Sequence, residues 1–199
     1  MTDESKKKLC VFCSSSDFLD KRFYKDAKLM GELIALNGYD IVYGGSTLGM
    51  MWECASEAKM NGSKIYGVMP KRLVEMGCST DNCDTFFLAE GMRDRKAKMD
   101  ELSYGVIVLP GGFGTLEECA EMIVQKQLGY NKKPIVFLNT KGYYDKLLEF
   151  FEQMISEQFA NASMRSLYYV ARTPQEVIDY INNYVEPDRT PTKFEIYSR

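Results

Sequence analysis

Short apolar runs alternate with segments of helical spacing along most of the chain. The apolar runs predict seven strands, over residues 8–13, 40–43, 64–69, 84–88, 105–109, 134–138 and 167–170. The amphipathic segments predict helices over 21–37, 49–61, 92–103, 115–129 and 143–158, and Pro174 is a typical first-turn residue for a last helix. This alternation predicts an α/β fold of the Rossmann-like, doubly wound type, with a parallel sheet covered by helices on both faces.

The pattern also indicates how the chain is divided. It contains no linker, repeat or low-complexity stretch, so we expect one Rossmann-like nucleotide-binding domain over residues 8–185. A chain of 199 residues with 45% hydrophobic content can bury one substantial core. We expect residues 1–7 to be a flexible N-terminus and residues 186–199 a C-terminal tail.

Charge and hydropathy exclude several partners. A net charge of −3 and a pI near 5.2 argue against a nucleic-acid surface, which is usually basic. No apolar run approaches the ~20 residues that a membrane-spanning helix needs. The polar start of the chain lacks the apolar stretch of a signal peptide. We therefore expect a cytoplasmic protein with neither a membrane nor a nucleic acid as partner.

The chain has no histidine, which excludes Ser-His-Asp and Cys-His catalysis and every histidine metal site. Its six cysteines include the pair Cys10 and Cys13, within a predicted strand. Residues three apart on a strand face opposite sides, so we expect ordinary buried thiols there. A zinc site that adds Cys78 and Cys83 is the alternative, without supporting spacing. We expect no metal.

Three predicted strand ends carry residues suited to a ligand. Ser14, Ser15 and Ser16 follow the first strand, and Gly44 and Gly45 follow the second. The segment 109–118, LPGGFGTLEE, follows the fifth. Ligands of parallel sheets bind at the carboxyl ends of the strands, so the three segments together predict one nucleotide-sized pocket.

The LPGGFGTLEE segment is the most informative of the three. Its glycines predict a tight turn, and a helix opening at Thr115 would direct backbone amides and its positive end at an anion. The segment lacks the Lys-Ser/Thr pair of a Walker A loop, and Glu117 stands where the dinucleotide fingerprint has its last glycine. We expect a monophosphate held mainly by backbone amides. A tight turn without a ligand is the alternative.

Two carboxylates follow the glycine turn. Glu117 and Glu118 would repel a phosphate, so we expect them to face another part of the ligand, such as its sugar. The residues Thr115 and Glu118 also fit a capping box, in which each side chain satisfies a backbone amide of the other residue. Capping and catalysis are thus equally open for Glu118, as is a division of the two roles between the glutamates.

A charged helix is predicted upstream. The inward positions of segment 91–99 and the following turn are expected to be Met92, Ala97, Met99 and Leu102. The ordinary interpretation of its charges is a solvated face. Arg95, however, lies three residues after Met92 and four before Met99, beside the apolar stripe, where a guanidinium can reach a phosphate or carboxylate.

The glycine turns and this helix together resemble the lonely-guy (LOG) family of cytokinin riboside 5′-monophosphate phosphoribohydrolases, long mislabelled as lysine decarboxylases. The family motif PGGxGTxxE matches residues 110–118, and RKxxM matches residues 95–99. Residues 10–16, 42–45 and Gly129 are also similar, and the resemblance spans about 8–185. It implies a Rossmann-like fold, a homodimer, and hydrolysis of a nucleoside 5′-monophosphate to free base and ribose 5-phosphate without a cofactor.

The resemblance assigns the catalytic roles to Arg95 and Glu118. Glu118 would face the ribose and the attacking water, and Arg95 would hold phosphate or stabilise charge on the departing base. The remaining expected contacts bind the substrate: Ser14, Ser15, Gly44, Gly45, Lys96, Gly111, Gly112, Phe113, Gly114, Thr115 and Glu117. The alternative function is a nucleotide-binding carrier or sensor without turnover, which would need neither Arg95 nor Glu118.

The sequence departs from the family pattern at five positions: Ser46 for a glycine, Trp52 for a small residue, Gly77 for a glutamate, Arg93 for a histidine and Val124 for a threonine. The phosphate and catalytic motifs are intact. The choice between AMP and N6-prenylated AMP is left open. Lysine decarboxylation would require pyridoxal phosphate on a Schiff-base lysine, and no lysine is marked for that role.

Overall fold

The computed structural model describes residues 6–78 and 82–186. Seven parallel strands form a single sheet: β1 (Lys8–Phe12), β2 (Asp40–Tyr43), β3 (Ile65–Pro70), β4 (Thr85–Ala89), β5 (Gly105–Val108), β6 (Ile135–Leu138) and β7 (Tyr169–Ala171). The predicted strands are confirmed to within two residues at either end. Most of the two predicted tails, residues 1–5 and 187–199, lies outside the described residues.

Seven α-helices connect and cover these strands: α1 (Lys21–Leu36), α2 (Gly49–Met60), α3 (Lys71–Glu75), α4 (Met92–Leu102), α5 (Phe113–Gln127), α6 (Asp145–Ser156) and α7 (Pro174–Asn182). The predicted last helix begins at Pro174, as expected. The sequence pattern gave no sign of α3, which is a single short turn of helix. No helix in the described part of the chain is long and apolar enough to cross a membrane.

The strands β1, β2, β3, β5 and β6 are almost entirely buried on both faces, as a doubly wound fold requires, whereas the edge strands β4 and β7 are partly exposed. Leu9 and Val11 of β1 belong to the core against α1, α2 and α7, whereas Cys10 and Phe12 belong to the core on the opposite face. Cys13 lies on the same side as Val11, which confirms that the two cysteines of the Cys-x-x-Cys pair face opposite ways. Residues 6–78 and 82–186 contain no cluster of three or more side chains able to hold a metal.

The strand order β4-β3-β2-β1-β5-β6-β7 fixes the place of a ligand site. From β1 the chain runs outward through β2 and β3 to β4, and it then returns to pair β5 with the other edge of β1. The order therefore reverses between β1 and β5. In open α/β sheets the crevice for a ligand lies at such a reversal, at the carboxyl ends of the strands.

Candidate active site

The three strand-end segments meet at this reversal. The backbone amide of Ser14, after β1, donates to the carbonyl of Pro110, after β5, at 3.1 Å. The carbonyl of Ser14 in turn accepts from the amide of Met51, in the first turn of α2, at 3.2 Å. The serine turn therefore lies between the two glycine turns.

Glycine is required where the serine turn meets the start of α2. Gly49 has a left-handed backbone with φ of 59°, and a Cβ there would overlap the backbone of Ser15 and Ser16. Its amide donates to the carboxylate of Asp17 at 2.8 Å. These contacts hold the glycine turn after β2, residues 44–49, against the serine turn after β1.

The glycine loop after β5 starts its helix earlier than the sequence predicts. Helix α5 begins at Phe113 with Gly112 as its N-cap, and the cap contributes no side-chain hydrogen bond. The capping-box interpretation is therefore wrong, because Thr115 already lies inside the helix and Glu118 is in its second turn. The side chain of Thr115 instead fills the space beside Gly111, where a Cβ would overlap it.

This geometry leaves a row of amides for an anion. Within residues 6–78 and 82–186, no protein acceptor receives the backbone amides of residues 111–115. Gly112, Phe113 and Gly114 are exposed, and the Phe113 side chain is 92% exposed. A helix N-terminus with free amides and no competing side chain is an anion-binding arrangement.

Arg95 and Glu118 form a buried ion pair next to this loop. Arg95 Nη1 donates to Glu118 Oε1, and the two side chains are only 8% and 7% exposed. Arg95 Nε donates to the carbonyl of Val68, on β3, at 3.0 Å. Two nitrogens of the guanidinium are therefore held by hydrogen bonds. The planar guanidinium suits this position because it can donate in two directions at once.

The predicted inward face of α4 is partly wrong. Met92 and Ala97 are exposed, whereas Arg95, Lys96 and Met99 are buried. The charges turn inward because carboxylates on α5 and a free carbonyl on β3 compensate them, which an apolar-stripe rule cannot anticipate. The ordinary interpretation of this charge run as a solvated face fails for the two residues of the RKxxM motif.

The environment of Glu118 disfavours its charged form. Burial raises the pKa of the Glu118 carboxyl above its ordinary value, and the positive charge and hydrogen bond of Arg95 oppose that rise. A carboxyl in such surroundings can exchange a proton with a reacting group more readily than an exposed one.

Lys96 is engaged by two carboxylates of α5. Its Nζ donates to Glu117 and to Glu121, and although burial opposes it, these two partners raise the pKa of the ammonium. The Lys96 side chain is 10% exposed, whereas that of Glu117 is 54% exposed. Glu121 was not predicted as part of the site, although its place four residues after Glu117 on one helix face could have revealed it.

Gly44 contacts the ion pair from the end of β2. A Cβ on Gly44 would lie 2.6 Å from Arg95 Nη2 and 2.6 Å from Met51 Sδ. Met51 and the carbonyl of Val68 were not predicted as part of the site, because neither carries a chemical signature in the sequence. Gly45 has φ of 77° and lies against Gly67 and Phe86, so it also requires glycine.

A separate cavity of about 340 Å³ adjoins the glycine loop. It is lined by Gly111, Gly112, Phe113, Leu116, Tyr143, Tyr144 and Leu147. Neither Arg95 nor Glu118 lines it. The cavity therefore includes part of the predicted phosphate loop but neither residue of the ion pair.

Two of the departures from the family pattern have local explanations. Gly77 has a left-handed backbone with φ of 78°, so a glutamate there would be strained. Ser46 is buried, and its hydroxyl accepts a hydrogen bond from the amide of Leu48 at 3.2 Å, which closes the glycine turn after β2. Val124 is 48% exposed on α5, on the same helix as Glu118.

Comparison with known proteins supplies the family. Residues 51–181 match the family model described as possible lysine decarboxylase. The chain is 40% identical over 181 residues to a probable cytokinin riboside 5′-monophosphate phosphoribohydrolase of Oryza sativa subsp. japonica, covering 90% of this chain and 85% of that one. It is 38% identical over 188 residues to a cytokinin riboside 5′-monophosphate phosphoribohydrolase of Arabidopsis thaliana, covering 93% and 87%.

A solved structure has the same fold. The molybdenum cofactor binding protein of the phototrophic bacterium Rippkaea orientalis superposes with a TM-score of 0.69 at 22% identity, covering 89% of this chain and 96% of that one. At that identity the likeness establishes the Rossmann-like fold alone. The plant relatives and the family model together show that the chain belongs to the LOG family of cytokinin riboside 5′-monophosphate phosphoribohydrolases, the family whose model is described as possible lysine decarboxylase.

Proposed function

We propose that the protein is a hydrolase that cleaves the N-glycosidic bond of adenosine 5′-monophosphate or an N6-modified derivative, releasing the free base and ribose 5-phosphate. The observation that carries this proposal is the buried Arg95–Glu118 pair beside a loop with free amides. An anion site and a shielded carboxylate a short distance apart suit a phosphorylated sugar. The relatives from both plants are named for this reaction.

The phosphate is proposed to bind the amides of Gly111, Gly112, Phe113, Gly114 and Thr115. Ser14 and Ser15 adjoin that loop through the hydrogen bond from Ser14 to Pro110. The Ser14 hydroxyl accepts a hydrogen bond from the amide of Ser16 at 3.1 Å and would donate its proton to the phosphate or to the ribose. The positive end of α5 favours the anion, and no metal or organic cofactor enters the proposal.

Glu118 is proposed to act on the sugar. Cleavage of an N-glycosidic bond develops positive charge on the ribose ring, and a nearby carboxylate stabilises that charge. The bond electrons leave with the base nitrogen, water adds to the anomeric carbon, and Glu118 accepts the proton that this water loses. That proton then passes to the base nitrogen, which gives the neutral base and restores the carboxylate. The raised pKa of Glu118 suits a group that takes up a proton during the reaction.

Arg95 is proposed to stabilise negative charge. A guanidinium keeps its positive charge in proteins and does not serve as a general acid. It can instead contact the phosphate or the electron-rich departing base, while its bonds to Val68 and Glu118 keep it in place. Gly44 leaves the space that the Arg95 guanidinium occupies, and Gly45 supports that turn, so both would act on the ligand through the ion pair. Lys96 and Glu117 would meet the ribose as a pair.

We also propose a cytoplasmic homodimer without a nucleic-acid partner. Several apolar side chains on and after α5 and α6 are exposed, namely Val124, Leu128, Phe150 and Phe159. An apolar groove between these helices offers surface for a second copy. Sedimentation velocity tests the dimer, and a monomer at micromolar concentration would contradict it.

The activity is tested by incubating the protein with AMP, N6-isopentenyl-AMP and adenosine, each without added metal. We expect free base and ribose 5-phosphate from at least one monophosphate, and a much lower kcat/KM for adenosine because it cannot use the amide loop. Chromatography of the base is the measurement. Comparable kcat/KM for adenosine and AMP would remove the phosphate site from the proposal.

The alternative is a nucleotide carrier or sensor on the same fold. The structural neighbour from Rippkaea orientalis is named as a molybdenum cofactor binding protein, so this fold also occurs in a protein named for binding. The buried Arg95–Glu118 pair favours the enzyme, since binding alone does not require a shielded carboxylate. Tight nucleotide binding without base release from any monophosphate would favour the carrier.

A further inference from the structure

Each of the four backbone carbonyls of residues 109–112 accepts a hydrogen bond, and two neighbouring tyrosines donate two of these bonds. Tyr144 Oη donates to the carbonyl of Leu109 at 2.7 Å, and Tyr143 Oη donates to the carbonyl of Gly111 at 2.6 Å. The amide of Ser14 donates to the carbonyl of Pro110 at 3.1 Å. The carbonyl of Gly112 accepts from the amide of Leu116, in the first turn of α5, at 3.0 Å.

These four consecutive carbonyls are therefore directed toward protein donors. A peptide unit that turns its carbonyl toward a donor turns its N–H the opposite way, because the two groups are antiparallel across a trans peptide bond. The amides of Gly111 and Gly112 belong to the peptide units whose carbonyls the Ser14 amide and the Tyr143 hydroxyl hold. A carbonyl oxygen facing a phosphate would repel it.

The two tyrosines are themselves fixed from several sides. Tyr144 is buried, its ring packs edge-on against Phe137 at 5.1 Å, and its amide donates to Asn139 Oδ1 at 2.8 Å. The Tyr143 and Tyr144 rings lie edge to face with centroids 5.0 Å apart. Both hydroxyls are thus held in place before any ligand arrives.

We propose that Tyr143 and Tyr144 are positioning residues for the glycine loop, residues 111–115. The Tyr143 hydroxyl holds the Gly111 carbonyl away from the crevice and so turns the Gly112 amide toward a phosphate. The Tyr144 hydroxyl keeps the Leu109 carbonyl, whose peptide partner Pro110 has no N–H, away from the same phosphate. The inference rests on the proposed function of that loop. It assigns a role in phosphate affinity to a segment, 143–144, that lies after β6 and carries no recognised motif.

The test compares Tyr143→Phe, Tyr144→Phe and the double variant with the wild type. The probes are ribose 5-phosphate and inorganic phosphate, with Kd from calorimetry, and AMP, with kcat and KM. Loss of the Tyr143 hydroxyl should raise Kd and KM roughly fivefold, as expected for one hydrogen bond, and loss of the Tyr144 hydroxyl should raise them less, because Pro110 has no N–H to misplace. We expect kcat for AMP and kcat/KM for adenosine to stay within about twofold of the wild-type values, because neither depends on how tightly the glycine loop binds the phosphate.

Tyr184→Phe is the matched control. Its hydroxyl also donates to a backbone carbonyl, that of Lys132, at 2.6 Å, outside the glycine loop. This variant should lose a similar amount of thermal stability and keep the wild-type Kd. A double variant that is destabilised but binds ribose 5-phosphate like the wild type would overturn the proposal. So would a fall in kcat with unchanged Kd.

The binding measurements separate this inference from the proposed activity. If no monophosphate is hydrolysed while the variants still bind ribose 5-phosphate more weakly, the activity fails and the positioning role stands. A wild-type protein that binds neither phosphate probe overturns the positioning role. Should Tyr144→Phe not fold, Tyr143→Phe decides the matter, because Tyr143 is 46% exposed and its loss leaves the core intact.

Discussion

Arg95 and Glu118 are 23 positions apart in the chain, and their ion pair joins α4 to α5 with both side chains more than nine-tenths buried. Taking two charges out of water costs free energy, and attraction offsets that cost only when the geometry is good and the other polar groups are satisfied. The carbonyl of Val68 supplies part of that compensation. An ion pair that costs this much free energy, beside the proposed anion site, is better explained by a role in a reaction than by a contribution to stability.

Glu118→Gln should separate charge from shape. The amide keeps the size and one acceptor oxygen but removes the negative charge, so we expect kcat to fall by ~10² or more. Steady-state kinetics on AMP, below the melting temperature, is the measurement.

Glu152→Gln is the control for this variant, since Glu152 forms an ion pair with Arg165 at an exposed position away from the crevice. Its kcat should equal that of the wild type. Near-normal turnover by Glu118→Gln would place the chemistry on another residue.

Arg95→Lys should show that the planar fork matters as well as the charge. A lysine cannot contact both the carbonyl of Val68 and the carboxylate of Glu118 in the same way, so we expect kcat/KM to fall by at least about tenfold. Arg165→Lys makes the same change in the exposed ion pair with Glu152 and should leave kcat/KM at the wild-type value. Equal kinetics for the two variants would reduce Arg95 to a simple positive charge.

Gly44→Ala should damage activity without much loss of stability. The new Cβ would lie 2.6 Å from the ends of the Arg95 and Met51 side chains, which are flexible and can shift. A displaced guanidinium should lower kcat by about 10- to 100-fold, with little change in Tm. Thermal unfolding and kinetics are measured on the same preparation.

Gly31→Ala provides the opposite case. A Cβ on Gly31 would overlap the backbone carbonyl of Cys54, where α1 packs on α2. Backbone cannot move aside as a side chain can, so we expect a loss of about 1–3 kcal/mol in unfolding free energy and an unchanged kcat while the protein is folded. If the Gly44→Ala protein unfolds as readily as the Gly31→Ala protein, the role assigned to Gly44 is contradicted.

The pH dependence of stability should report the environment of Glu118. Its pKa is raised in the folded protein, mainly by burial, so the folded state binds that proton more tightly than the unfolded state. The corresponding stability is present below the unfolded value and is lost as the pH rises through the folded pKa. The Tm of the wild type minus that of Glu118→Gln should therefore be largest at and below pH 4.5 and fall above it.

Glu152 should behave in the opposite sense. The hydrogen bond from Arg165 lowers the pKa of Glu152, so its contribution to stability is present above pH 4.5 and is lost as the pH falls below it. Calorimetric Tm values of both Gln variants across the acid range provide the measurement. Parallel pH profiles for the two variants would contradict the raised pKa of Glu118.

The amino-acid pattern alone was enough to predict the seven strands, the parallel sheet and the place of the glycine loop after β5. The strands are short, continuously apolar runs, and the helices show a period that strands cannot produce, so each element is specified locally. Glycines 111, 112 and 114 after an apolar strand likewise carry a local signal, because few other residues allow such a turn. The pair Arg95 and Glu118 came from motifs, since spacing alone left capping open for Glu118.

How these parts act together depends on contacts that exist only in the folded chain. Whether Arg95 and Lys96 face solvent depends on carboxylates of α5 and a carbonyl of β3, which the fold brings to them from other elements. The start of α5 at Phe113 follows from the extended backbone of Gly112, which no pattern of side chains predicts. Tyr143 and Tyr144 reach the glycine loop because β5 and β6 pair in parallel, and that pairing is a property of the whole sheet.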